Sequence, residues 1–170
     1  MRKVLMLAVP VVMAGAAQAG TLELSVEIPK LSVAEYHRPY VAVWIEDASG
    51  KVAANLSVWY DVDLKDNEGE KWLKDIRQWW RRTGRTLDMP IDGVSSPTKP
   101  PGKNTLKFDT SNGPVAKLAP GEYKIIVEAS REVGGKELVE IPFKWAPGTD
   151  ATASASGKEE LGAITLKLTK

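Results

Sequence analysis

The chain contains no cysteine and a single histidine, His37. The first absence excludes disulfides, thiolate metal sites, cysteine-ligated clusters and cysteine nucleophiles. The second leaves metal chemistry with one imidazole and scattered carboxylates, where a site needs several ligands converging. An HExxH pair, an EF-hand loop, a GxSxG elbow and a glycine-rich phosphate loop are also missing, and a Ser–His–Asp set could draw only on His37. No credible acid/base pair remains, so the expectation is a protein that is not an enzyme. An excess of charge of one sign is lacking too. Basic residues number 23 against 22 acidic ones, and the balance turns slightly negative once Arg2 and Lys3 are set aside, which gives no global pull toward nucleic acid.

Long apolar runs are confined to the start of the chain. Met1-Arg2-Lys3, the run 4–17 and Ala17-Gln18-Ala19 have the charged opening, greasy middle and small-residue exit of a secretory signal peptide, so residues 1–19 are expected to be cleaved. The run falls short of the roughly 20 residues that cross a bilayer. Residues 20–170 are therefore expected to be an exported, periplasmic, non-spanning chain, long enough for one domain. Without disulfides, its core alone must hold it.

What is present is mostly short strands. Residues 21–28 set Leu22, Leu24, Val26 and Ile28 against Thr21, Glu23, Ser25 and Glu27, a period of two. Residues 40–46 are apolar on both faces, as expected where a helix or second sheet covers the outer side. Residues 52–60 return from the turn at Asp47-Ala48-Ser49-Gly50, which brings Trp59 to the region of Trp44. Further strands are expected over 104–108, 123–129, 136–143 and 161–168, and the small polar stretch 146–160 reads as a surface loop or linker. The sum is an all-β sandwich with a helical insertion.

That insertion is expected over residues 69–83. At 100° per residue, Trp72, Leu73, Ile76, Trp79 and Trp80 share an arc of roughly 120°, with charged side chains filling the remainder. Asn67 is positioned to cap the start and Gly84 to end it in the left-handed conformation. The six tryptophans can be read as core filling that staples the helix to the sheet. The sharper alternative is a partner or ligand surface made of Trp79, Trp80, Arg77, Arg81, Arg82 and His37, suited to a protein partner or to a flat or anionic ligand. Downstream, residues 90–102 form a hydroxyl-rich loop in which Thr98 sits between Pro97 and the Lys99-Pro100-Pro101-Gly102 run. Prolines fix much of that backbone, so an exposed hydroxyl there is cheap to present.

From Tyr36 onward the chain resembles a family of bacterial periplasmic proteins of unknown function. The likeness is carried by Tyr36-His37-Arg38-Pro39-Tyr40-Val41-Ala42-Val43-Trp44-Ile45, by Trp72-Leu73-Lys74-Asp75-Ile76-Arg77-Gln78-Trp79-Trp80-Arg81 and by Pro100-Pro101-Gly102. Members are typically encoded beside PepSY-type membrane proteins and flavin transferases, which implies a setting of iron uptake or extracytoplasmic electron transfer. Residues 104–129, with Leu118-Ala119-Pro120-Gly121-Glu122-Tyr123, resemble the Ig-like domain of flagellar hook-capping proteins. The fold so implied is an Ig-like antiparallel β-sandwich of about seven strands with one amphipathic helix inserted. Asp92-Gly93-Val94-Ser95-Ser96-Pro97-Thr98 is similar to the acceptor motif of flavinylated proteins, with Pro97 where the motif has alanine. The resemblance implies Asp92 as the acidic element, Ser95 and Ser96 as the small polar pair, and Thr98 as the residue that takes FMN through a phosphoester. The resulting expectation is an accessory or electron carrier beside a membrane redox or PepSY-type protein. The alternative is a cofactor-free binding module that docks a partner or anionic ligand through the Trp/Arg helix.

Overall fold

Side chains that alternate along a strand must find an apolar layer on one side only, and here that requirement builds two sheets. The computed structural model describes residues 20–146 and 148–170; the expected signal peptide, 1–19, lies outside the described residues. The strands are β1 (Thr21–Ile28), β2 (Tyr40–Asp47), β3 (Val52–Tyr60), β4 (Ser95–Pro97), β5 (Gly102–Asp109), β6 (Gly121–Ser130), β7 (Lys136–Trp145), β8 (Ala151–Ser156) and β9 (Ala163–Thr169). One sheet has the order β5-β1-β9-β8 and the other β4-β3-β2-β6-β7. Neighbours are antiparallel, except that β4 runs parallel to β3. The fold is the expected β-sandwich, with two strands more than expected.

The inter-sheet core is drawn from the alternating faces: Leu22, Leu24 and Val26 of β1, Val41, Val43 and Ile45 of β2, Ile125 and Val127 of β6, and Ile164, Leu166 and Leu168 of β9. Each such side chain, fully buried, stabilises the fold by about 1.5–3 kcal/mol before entropy is counted. The extra strand β8 corrects the reading of 146–160 as a loop. Its Ala151, Ala153 and Ala155 pack against the core, while Thr152, Ser154 and Ser156 face out. The alternation is real but small side chains make it faint.

β2 is covered on both sides, as its sequence required. Ala42 and Trp44 face outward into a second cluster with Val58, Tyr60, Leu73, Ile76 and Trp79. Trp59, expected beside Trp44, lies on the opposite face in the inter-sheet core. A register shift between Val43 and Trp44, where β2 pairs with Ser57 and then Asn55, reverses the parity of β3. Val58 and Tyr60 thereby turn toward the helical cover.

The single helix expected over 69–83 is corrected. The chain winds as 3-10 helix over Lys65–Asp75, breaks at Ile76 (φ −79°, ψ 77°), and continues as a short α-helix, α1 (Arg77–Arg82), then a 3-10 turn at Gly84–Thr86. Asn67 does not cap; it has φ 55°, next to Asp66 at φ 57°. The start of α1 is capped from the sheet instead. The buried Glu128 of β6 accepts the backbone N–H groups of Gln78 (3.0 and 2.9 Å) and Trp79 (2.9 Å), satisfying donors that a helix start leaves open. Gly84 is required for space rather than for a left-handed cap, since a Cβ there would lie 2.5 Å from the Trp79 ring. Among the described residues, no helix is long and apolar enough to cross a membrane.

Candidate functional site

Where β3 ends, the chain leaves the sheet at Asp61, and three features bring the next residues to one cleft. Gly69 presses on Asp61: a Cβ at Gly69 would lie 2.0 Å from the Asp61 carbonyl oxygen, so the 3-10 segment closes over this turn only with glycine there. β4 runs beside β3 with Tyr60 opposite Pro97, and therefore delivers Thr98 next to Asp61. Thr98 Oγ1 donates to Asp61 Oδ1 at 3.4 Å, and Tyr40, at the start of β2, donates its hydroxyl to Asp61 Oδ2 at 3.4 Å. The other wall is the turn between β6 and β7, residues 131–135, together with residues 36–38 of the connection before β2. The cleft has a volume of about 770 Å³, within the range of roughly 300–1,000 Å³ typical of small-molecule sites.

Its lips are apolar and its floor polar. Leu64 (45 % exposed), Trp72 (50 %) and Val133 (74 %) line it, and they are three of the five large hydrophobic side chains that stand exposed among the described residues. Such residues cluster where something covers them. On the floor, Arg131 is only 8 % exposed and holds Glu160 through two bonds, Nε to Oε2 at 2.8 Å and Nη2 to Oε1 at 3.0 Å. Its third nitrogen, Nη1, and the hydroxyl of Tyr36 are the two buried side-chain polar atoms without a partner among the described residues. Burial raises the Tyr36 pKa, with the nearby Arg131 charge acting against it. Burial, with Asp61 beside it, pushes Tyr40 up to about 12. Both phenols are thus donors at neutral pH. His37 sits between Glu35 (Nε2 to Oε1, 2.8 Å) and Glu132 (Nδ1 to Oε2, 3.5 Å).

Glu160 is placed by a second carboxylate. Glu137 of β7 accepts the backbone N–H groups of Lys158, Glu159, Glu160 and Leu161 at 2.6, 3.1, 2.9 and 2.9 Å. Burial acts to raise its pKa, but those four donors outweigh it and hold the carboxyl below its ordinary range. A depressed carboxyl contributes stability above the free glutamate value of about 4.3 and loses it as the pH falls through the lower folded value. The thermal midpoint should therefore fall below about pH 4.3, and fall less steeply in Glu137→Gln; identical pH slopes for the two proteins contradict this assignment.

The expected site residues do not form one surface. Thr98 and His37 line the cleft, whereas Asp92, Ser95 and Ser96 do not; Trp72, which also lines it, was expected only on the helix's apolar stripe. Asp92 is exposed on the preceding turn. Ser95 closes that turn, its Oγ accepting the Ile91 N–H at 2.9 Å, and Ser96 is paired opposite Trp59. Trp79 is fully buried, its indole N–H donating to Asn55 Oδ1 at 2.9 Å, so it offers no surface to a partner. Arg82 is bound to the sheet through Glu46 (3.0 Å) and the Gly50 carbonyl (2.7 Å). Arg77 and Arg81 stay exposed, and Trp80 lies half-buried in a separate, shallower depression with Leu73, Leu87 and Met89. Tyr36, Tyr40, Asp61 and Arg131 were not singled out by sequence. Tyr36 and Tyr40 stand in the stretch that carries the family resemblance, but Arg131 has no local signal, because its partner is 29 residues away.

The residues present have a chemistry compatible with the flavin that the acceptor-motif resemblance implies. A threonine hydroxyl borders a cleft of suitable volume, an exposed indole and two aliphatic side chains frame its opening, and unpaired donors lie at its base. Fold and cleft together define a β-sandwich protein with a helical cover on one sheet and a ligand-sized recess at the edge of that cover. The chain belongs to the family of predicted periplasmic proteins DUF2271, which matches residues 21–163. Among curated proteins and among solved structures, none matches the chain.

Proposed function

We propose that this periplasmic protein is a non-enzymatic accessory of a membrane redox or iron-uptake system and carries FMN as a phosphoester on Thr98. The observation that supports this reading most directly is where Thr98 stands. Of the four acceptor-like residues it alone borders the cleft, and its one side-chain bond, 3.4 Å to Asp61, is long enough to be surrendered easily. Asp92, Ser95 and Ser96 then serve as the shaped turn that a flavin transferase reads.

Attachment forms the Thr98 Oγ1–phosphorus bond and breaks the pyrophosphate bond of a flavin dinucleotide. AMP departs, and the hydroxyl proton passes to a base of the transferase, which performs the phosphoryl transfer. Once attached, FMN supplies the redox chemistry. This chain's own part is to position and shield: Trp72, Leu64 and Val133 line the opening, and the pairing of β4 with β3, Pro97 opposite Tyr60, fixes the strand end from which Thr98 projects. An exposed cleft suits exchange of electrons with a PepSY-type membrane partner. Co-production with a flavin transferase and intact-mass measurement tests the reading. A gain of one FMN less one water is expected, and an unmodified chain overturns it. The cofactor-free docking alternative keeps Arg77, Arg81, Arg82 and parts of Trp80 and His37 at the surface, and is the weaker for losing Trp79.

A further inference from the structure

The two buried side-chain polar atoms without a partner among the described residues belong to Tyr36 and Arg131, which line the same cleft. Nine-tenths or more of all buried polar groups find a partner, and leaving one without costs its desolvation, so two orphans together need a reason. Arg131 is not placed loosely. It is clamped by the bidentate Glu160 contact, which occupies Nε and Nη2 and leaves Nη1 over. Glu160 is itself fixed, because its own backbone N–H is bound to Glu137 and its Oε1 also accepts the Gly135 N–H at 2.8 Å. The cover over the guanidinium is thin. Gly134 lies against it so closely that a Cβ there would be 2.4 Å from Cζ and 2.7 Å from Nη1. The neighbouring Val133, a β-branched residue, is held at φ 50° and is three-quarters exposed. Residues in such a conformation carry strain that the rest of the structure must sustain, and they concentrate at ligand sites.

We propose that Arg131 Nη1 and Tyr36 Oη form a paired donor seat for the acceptor edge of a planar ring, reached when the Val133–Gly134 turn lifts. Under the reading of Thr98 as a flavin attachment point, on which this inference rests, that edge is the pyrimidine side of the isoalloxazine, with its ring nitrogen and carbonyl oxygen as acceptors. A guanidinium is suited to this because two of its N–H groups stay free on Nη1 while its charge is kept in place by Glu160. The opposite, hydrocarbon side of the ring then falls toward Trp72 and Leu64 at the lips. Tyr36 adds the second donor. In the free protein neither donor has a partner among the described residues, so each is expected to cost its desolvation there.

Tyr36→Phe separates this from a structural role. Removing an unpaired buried hydroxyl should leave the thermal midpoint of the flavin-free protein unchanged or higher, whereas a tyrosine needed for folding would lower it. Protein made without transferase is then titrated with lumiflavin, the ring without a phosphate, and separately with inorganic phosphate. Wild type should quench lumiflavin fluorescence saturably, and Tyr36→Phe and Arg131→Lys should each weaken that binding about tenfold, the equivalent of about 1.4 kcal/mol. Absence of saturable lumiflavin binding, equal binding by wild type and Tyr36→Phe, or a Tyr36 dependence seen with phosphate alone each overturns the seat. Flavin attachment is scored apart, by mass: an unmodified wild type made with the transferase removes the Thr98 reading and leaves the titration to decide the seat by itself.

Discussion

Thr98→Ala, made together with a flavin transferase, is expected to emerge folded, with its thermal midpoint little changed, and with no covalent flavin at all. The two halves of that result have separate physical grounds. Thr98 lies just past the end of β4, is partly exposed, and makes a single side-chain bond of 3.4 Å; substitutions at such positions usually change stability by less than about 0.5 kcal/mol. The loss of flavin is absolute because the phosphoester needs an oxygen that alanine lacks. Thr98→Ser keeps the oxygen and should be modified, more slowly if the transferase grips the methyl group. A Thr98→Ala protein that still carries covalent flavin, or one that is unfolded, contradicts the assignment by mass in the first case and by circular dichroism in the second.

Trp79→Ala is expected to cost about 3–5 kcal/mol, the range for emptying a large aromatic site in a core. Trp79 is the keystone of the outer cover. Its ring fills the space above Gly84, its indole N–H is paired with Asn55, which in turn holds Thr83 at 3.3 Å, and its backbone N–H is capped by Glu128. Truncation empties the centre of the cluster that shields Trp44, Val58 and Tyr60 from water. Because the same excursion supplies Leu64 and Trp72 to the cleft, loosening it should also disturb whatever occupies that cleft. Urea unfolding with an unchanged slope and a lowered midpoint is the expected signature. A loss below about 1 kcal/mol would mean that the cover is not anchored through this residue.

These expectations depend on features that differ in how legible they were. β1 and β9 announce themselves, because Leu22, Leu24 and Val26 and then Ile164, Leu166 and Leu168 repeat at period two with polar residues between. β2 was also readable: a strand apolar on both faces needs two apolar layers, and it has them. β8 was hidden because alanine against serine and threonine gives almost no contrast in hydropathy. The helical cover was misjudged for a geometric reason. A 3-10 helix has about 3 residues per turn instead of about 3.6, so positions projected onto one α-helical stripe drift apart, and Trp72 ends half-exposed while Leu73 and Ile76 stay buried.

The candidate site was legible in two residues, Thr98 and His37, and opaque in the rest. Thr98 could be reached from its neighbours in sequence, because an acceptor-like run and flanking prolines are local features. The cleft around it could not, since Asp61, Trp72, Arg131 and Glu160 come together through the β3–β4 register, the turn after β6 and a contact across 29 residues. The Trp/Arg surface shows the converse, a residue whose burial its type did not announce. Trp79 looked available because tryptophan is common at interfaces, but it is fully buried and held by Asn55, whereas Arg82 stays exposed while bound to Glu46.

Thr98, at the edge of the cleft, is proposed as the place where the flavin is joined to the chain. Protein co-produced with the transferase, digested and mapped by mass spectrometry, tests it most directly. One modified peptide is expected, spanning the Asp92 to Thr98 run, with the FMN phosphoester on Thr98. Flavin on any other residue, or peptides that are all unmodified, contradicts it.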